Sequence, residues 1–167
     1  MNLASEKGVL VVDDEPDVRD FLATCLEDAG FRVRTAFDGA DALEKIIKNI
    51  PDLITLDLVM PRVSGIELMR KLRTNKEWSK IPVVIITAHA KDEMGKRDVE
   101  LLSAEEIKPA PEHIIEKPIT PTKLVGAVAK ILEVKTELDL ADERSDVLNL
   151  VKTCTPDKLK KIQEVLK

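Results

Sequence analysis

The chain has 167 residues, a length that fits one domain of ordinary size with at most an appendage. With 44% hydrophobic and 34% charged residues it can bury a core and stay soluble, which excludes a largely disordered chain. Aromatics amount to 2% with no Tyr, and the formal charge is -5; together these disfavour base-stacking platforms and binding of nucleic-acid backbones through net charge. Two cysteines, Cys25 and Cys154, exclude a disulfide scaffold and fit a reducing compartment. Apolar runs such as residues 83–86 are too short to span a bilayer, and the first residues carry no apolar signal region. The expectation is a soluble, cytoplasmic protein that does not engage a membrane.

Along the chain two hydrophobic periods alternate. Residues 8–12 form a β-branched run that stops at Asp13, Asp14 and Glu15. Pro16 opens a helical pattern with Val18, Phe21, Leu22, Cys25, Leu26 and Ala29 on one stripe, and Gly30 ends it. Phe31, Val33 and Thr35 alternate with Arg32 and Arg34, a strand with one polar side that belongs near a sheet edge. Asp38 caps the next helix, which turns Ala42, Leu43, Ile46 and Ile47 inward. Residues 53–58 make a strand buried on both faces, broken only by Thr55 and Asp57. Ser64 and Glu67 form a capping box ahead of Ile66, Leu68, Met69 and Leu72. Trp78 covers the core edge in the following loop, and residues 81–86 are a second apolar strand that closes at Thr87.

Residues 91–106 read as a polar helix stopped by Pro109 and Pro111. Residues 113–116 are a short strand ending at Lys117 and Pro118, and Thr120 caps a helix with Pro121 at its first position. The sum is five βα units. Short parallel strands need crossover helices, and fully apolar strands need cover on both faces. The fold class expected is α/β, a doubly wound five-stranded parallel sheet over residues 1–134. Residues 135–167 form a helical C-terminal extension in which residues 145–151 and a segment from Thr155 are helical.

In such sheets the functional crevice lies at the carboxyl ends of the strands. Those ends carry Asp13, Asp14, Glu15, Asp57, Thr87 and Lys117. Oxygen donors of this kind suit Mg²⁺, and a carboxylate can act as a nucleophile toward a phosphoryl group when a metal and a lysine neutralise charge. Asp57 is the best placed, because it interrupts an otherwise apolar strand and needs a cation nearby. Singly, Asp13 to Glu15 are as well explained by helix capping, Thr87 as a strand residue and Lys117 as a solvated lysine.

Four fragments occur in order at the strand ends: Val9-Leu10-Val11-Val12-Asp13-Asp14-Glu15-Pro16; Leu56-Asp57-Leu58-Val59-Met60-Pro61 with Gly65; Thr87 followed by Ala88; and Lys117 followed by Pro118. Over residues 7–134 the chain resembles a response-regulator receiver domain of two-component signalling, with the flavodoxin-like receiver fold. The resemblance implies that Asp57 accepts a phosphoryl group from a sensor histidine kinase or phosphotransfer protein. It implies Mg²⁺ on Asp13, Asp14, Asp57 and the backbone carbonyl of Val59. Thr87 donates to a phosphoryl oxygen after transfer, Lys117 pairs with the phosphoryl group or with Asp57, and the Lys117-Pro118 bond is cis. It implies a phospho-switched binding module and no enzyme beyond its own phosphoryl transfer and autodephosphorylation. The competing expectations are an aspartyl-nucleophile phosphohydrolase and a receiver-like module that is never phosphorylated.

Three departures from the family pattern stand out. Ile114 occupies the place of a switch aromatic. The stretch between Thr87 and Lys117 is longer than the family's and lacks its Gly-Ala-Asp turn. Val59 and His89 flank the path of the hydrolytic water, and apolar Val59 predicts slow autodephosphorylation. An output protein is expected to meet residues 91–116 and the C-terminal helices. A homodimer is compatible, whereas DNA is disfavoured by the short, nearly neutral extension.

Overall fold

The computed structural model describes residues 2–58, 60, 63–88, 100, 107 and 109–153, the side chains of 146, 147 and 149–153 excepted. In chain order the elements are β1 (Asn2–Leu3), a 3-10 turn at Ala4–Glu6, β2 (Gly8–Val12), α1 (Pro16–Asp28), β3 (Arg32–Ala36) and α2 (Gly39–Lys48). They continue with β4 (Leu53–Leu56), α3 (Gly65–Thr74), β5 (Val83–Thr87) and β6 (His113–Glu116). Then come α4 (Pro121–Leu132), β7 (Val134–Lys135) and α5 (Glu137–Thr153). Strands β3-β2-β4-β5-β6 lie in that order, all parallel.

The β-branched and leucine-rich strands are buried on both faces because alternate residues enter two separate cores. Leu10, Val12, Ile54, Leu56 and Ile85 face Ile46 of α2 and Leu68, Met69 and Leu72 of α3. Val9, Val11, Leu53, Val84, Ile86 and Ile115 face Leu22 and Leu26 of α1 and Leu124 and Val128 of α4. Trp78 packs half-buried against the first core, as the sequence implied, and Ile107 is buried in it. Strand β3 is an edge strand, which explains its polar side. Arg34 uses that exposure to donate to the last carbonyls around α2, Lys45 O at 2.9 Å and Asn49 O at 2.5 Å.

The caps form as expected. Asp38 accepts from Asp41 N at 2.7 Å, Ser64 from Glu67 N at 3.2 Å and Thr120 from Lys123 N at 3.3 Å. Several expectations need correction. Phe21 is 43% exposed and Ile47 is 69% exposed, so neither lies in the core. Each sits at the margin of its apolar stripe, where the sheet no longer covers the helix. The fourth strand stops at Leu56, and β5 begins at Val83 after Pro82, which has no N–H to give the ladder. Among the described residues of the extension there is one helix, α5, and it begins far ahead of the expected residues 145–151. Thr136 and Asp139 start it by reciprocal capping, with Asp139 N donating to Thr136 Oγ1 at 3.2 Å and Thr136 N to Asp139 Oδ2 at 2.9 Å. The expected helix over residues 91–106 and the segment from Thr155 lie outside the described residues.

Two features had no expectation. Strand β1 pairs in parallel with β7, Asn2 opposite Val134 and Leu3 opposite Lys135, and Glu137 N donates to Ala29 O at 2.9 Å. Arg73, though buried, ties the segment entering β6 to the one entering β5 by donating to Pro109 O at 2.7 Å, and to Ser79 O at 3.0 Å and Ile81 O at 2.8 Å.

Gly65 opens α3 directly beneath the loop after β4. A Cβ there would lie 2.5 Å from Asp57 O and 2.6 Å from the Leu58 Cα, both backbone atoms that cannot swing aside. Gly65→Ala is therefore expected to cost about 1–3 kcal/mol, read as a lower urea midpoint at unchanged slope.

Candidate functional site

The site is assembled by the ends of four strands. Asp13 follows β2 directly and is 1% exposed, and its backbone N–H donates to Ala36 O at 3.1 Å. Its Oδ1 accepts from Glu15 N at 3.0 Å, and its carbonyl accepts from Arg19 Nη1 at 3.0 Å, which fixes the turn into α1. Asp57 follows β4, is buried, and donates its N–H to Val12 O at 3.0 Å. The adjacency of β2 and β4 thus brings the two carboxylates together although they are far apart in sequence. Thr87 ends β5, fully buried, and its carbonyl accepts from Lys117 N at 2.9 Å. Lys117 follows β6, and its bond to Pro118 is cis, as expected.

One carboxylate oxygen each from Asp13, Asp14, Glu15 and Asp57 lie within 4.8 Å of one another. Lys117 Nζ reaches three of these side chains: Asp13 Oδ2 at 3.0 Å, Asp57 Oδ2 at 3.5 Å and Glu15 Oε1 at 3.7 Å. Burial pulls the Lys117 pKa down, but the carboxylates of Asp57, Asp13 and Glu15 pull it up by more, so it ends above its ordinary value. Its single charge balances one carboxylate of the four. Hard oxygen donors, closely convergent and in excess of the nearby ammonium, fit a divalent cation such as Mg²⁺.

The structure therefore brings together Asp13, Asp14, Asp57, Thr87 and Lys117, five of the six residues singled out from the sequence. Val59 and His89 lie outside the described residues. Glu15 was named there only as part of the acidic run. Its convergence on Lys117 depends on the turn fixed by Asp13, which composition does not reveal. Ile114 lies in β6 opposite Ile85 and is exposed, as is His113, because β6 is the other edge of the sheet. Beside Lys117, a shallow apolar depression is lined by Val18, Phe21, Pro118 and Ile119.

Comparison with known proteins matches this arrangement. The family model of the response regulator receiver domain matches residues 9–129. The hybrid signal transduction histidine kinase D of Dictyostelium discoideum is 31% identical over 159 residues, 92% of this chain and 10% of that protein. The phosphate regulon transcriptional regulatory protein PhoB of Pseudomonas aeruginosa is 32% identical over 126 residues, 75% of this chain and 52% of that protein. The chain thus spans about half or far less of these relatives. Among solved structures, the signal receiver domain of a histidine kinase from Syntrophus aciditrophicus superposes with a TM-score of 0.66 at 28% identity, covering 76% of this chain and 90% of that one. The chemotaxis protein CheY4 of Vibrio cholerae gives a TM-score of 0.63 at 28% identity, covering 75% and 98%. With its fold and the greater part of its length matched, the chain belongs to the response regulator receiver domain family of two-component signalling.

Proposed function

We propose that the protein is a phospho-switched binding module in which Asp57 accepts a phosphoryl group from a phosphohistidine on a sensor kinase or phosphotransfer protein. The observation that carries this is the buried Asp57 carboxylate with Lys117 Nζ 3.5 Å away and three further carboxylates around it. An Asp57 oxygen attacks phosphorus, the phosphorus–nitrogen bond of the donor breaks, and the imidazole leaves with the electron pair. The product is an acyl phosphate on Asp57. Mg²⁺, held by Asp13, Asp14 and Asp57 with the Val59 carbonyl, would neutralise charge on the phosphoryl oxygens. Lys117 exchanges a carboxylate oxygen for a phosphoryl oxygen, and the Thr87 hydroxyl donates to another, drawing the end of β5 toward the site.

Hydrolysis of the acyl phosphate returns Asp57, and apolar Val59 offers no group to orient the attacking water, so the phosphorylated state is long-lived. No net turnover of an external phosphate ester follows, and the protein is not an enzyme in that sense. Residues 1–134 act as the receiver and residues 135–167 as a helical extension, with output through protein contacts rather than DNA. No described helix is long and apolar enough to cross a membrane. A cytoplasmic setting follows from the phosphodonor.

The apolar depression beside Lys117 is the docking place proposed for the donor protein, with Phe21 as its exposed anchor. Incubation with acetyl phosphate and Mg²⁺ is expected to add one phosphoryl group per chain, seen by mass spectrometry and absent in Asp57→Asn or with a chelator. Repeated turnover of a phosphomonoester would instead identify a phosphohydrolase. Phe21→Asp is expected to slow transfer from the cognate phosphohistidine protein by about tenfold or more while leaving acetyl phosphate labelling unchanged.

Lys117 also predicts a pH dependence. Its folded pKa is raised, so the stability it contributes is fully present below the unfolded value of about 10.4 and is lost as pH rises through the higher folded value. The urea midpoint of the native protein is expected to fall over that alkaline range. In Lys117→Met this part of the fall should be missing, on a baseline that is lower at neutral pH.

A further inference from the structure

Glu15 occupies the N-cap position of α1, where a short acceptor side chain such as Asp or Ser is favoured. Its carboxylate makes no capping hydrogen bond. It turns instead to Lys117, with Oε1 3.7 Å from Nζ, and converges on the oxygens of Asp13, Asp14 and Asp57. Arg19, one turn along α1, spends its guanidinium on the Asp13 carbonyl at 3.0 Å. Among the described residues Lys117 is therefore the only cation within ion-pair reach of Glu15, and it lies closer to Asp13 and Asp57. Burial separates these groups. The side chains of Asp13, Asp57 and Lys117 are 1%, 6% and 12% exposed, whereas that of Glu15 is 60% exposed. Of the four carboxylates Glu15 alone is exposed, so it stands at the mouth of the site. One ammonium offsets one carboxylate, and a bound Mg²⁺ would offset two more, which leaves one negative charge over.

We propose that Glu15 is a specificity-determining residue of the phosphoryl transfer: its uncompensated charge at the mouth ranks phosphodonors by their own net negative charge. The proposal rests on Asp57 being the phosphoacceptor. A small free acyl phosphate brings a dianion and nothing to offset its repulsion by Glu15. A phosphohistidine on a protein arrives with docking contacts that do offset it. The site thereby favours a protein donor over a free one. Two small donors of different charge isolate the effect. Acetyl phosphate is a dianion at neutral pH, and phosphoramidate, a zwitterion there, carries a single net negative charge. With acetyl phosphate an Asp57 oxygen attacks phosphorus, the phosphorus–oxygen bond breaks and acetate leaves with the electron pair. With phosphoramidate the phosphorus–nitrogen bond breaks and ammonia leaves with the pair. Both give the same acyl phosphate on Asp57, so the ratio of the two rates cancels any effect common to both.

The test measures initial labelling rates of the full chain with each donor, by mass spectrometry at saturating Mg²⁺. Glu15→Gln is expected to raise the rate ratio of acetyl phosphate to phosphoramidate about threefold or more, and further at low salt. Glu15→Asp, which keeps the charge, is expected to keep the native ratio. A merely structural role at the start of α1 would slow both donors alike and leave the ratio unmoved. Mg²⁺ affinity, read by titration calorimetry, is expected to fall by less than about tenfold in Glu15→Gln. A larger fall makes Glu15 a metal ligand and overturns the proposal. So does an unchanged ratio in Glu15→Gln, or an equal change in Glu15→Asp. If neither donor labels the native chain, Asp57 is not the phosphoacceptor, and the proposal fails with that reading.

Discussion

Placing several carboxylates at the end of a buried sheet is costly, and much of this structure exists to offset that cost. Asp13 and Asp57 are almost fully buried, and Lys117 Nζ lies within 3.5 Å of both. A buried ion pair gives little net stability, because desolvation consumes most of the Coulombic gain, but losing one partner costs about 3–5 kcal/mol. The arrangement is therefore poised. It holds together while the ammonium is present, and its excess negative charge attracts a further cation. In the phosphoryl transfer proposed for Asp57, this property would let the same lysine leave a carboxylate oxygen for a phosphoryl oxygen without becoming unpaired.

The constraint reaches into the backbone. Asp57 N donates to Val12 O, and the Gly65 Cα lies so close to the Asp57 carbonyl that no side chain fits. Lys117 is tied by its own N–H to Thr87 O, so the lysine and the end of β5 move as one unit. Any displacement of Thr87 toward a bound phosphoryl group is felt first by Lys117. Strand β5 is paired on one side with β4 and on the other with β6, where Ile114 stands opposite Ile85. An aliphatic side chain at an exposed edge position has no ring to exchange between a buried and an open state.

The strand ends were legible because apolar runs stop abruptly at charged residues, and each stop turned out to lie at the carboxyl edge of the sheet. Asp57 was the clearest, since a carboxylate inside a leucine run has no comfortable role as a cap or a surface residue. Where the pattern misled, the cause was tertiary. Phe21 and Ile47 fit a helical stripe by spacing, but the width of the buried stripe is set by how far the sheet extends beneath the helix. Arg73 gave no signal, because a buried arginine that donates to three carbonyls looks like any surface arginine in sequence. The β1–β7 pair was invisible for a related reason. Two residues carry no period, and their partners lie at opposite ends of the receiver.

That small pair determines how the extension relates to the chemistry. Helices α1 and α4 both begin at the site, one following Glu15 and the other following Lys117 and Pro118. Both end at the opposite pole, where Ala29 O accepts from Glu137 N and where Glu133, in a left-handed conformation, turns the chain into β7. Helix α5 is thus anchored to the far ends of the two helices whose near ends flank the carboxylates. Gly30, at φ 106°, permits this anchoring, since a Cβ there would meet Glu137 Cγ at 3.0 Å. A shift of Lys117 has a continuous covalent path through α4 into Val134 and α5. Coupling between the site and the extension, if both ends bias one two-state element, runs through the α1–α4 layer and not through the sheet edge at Ile114.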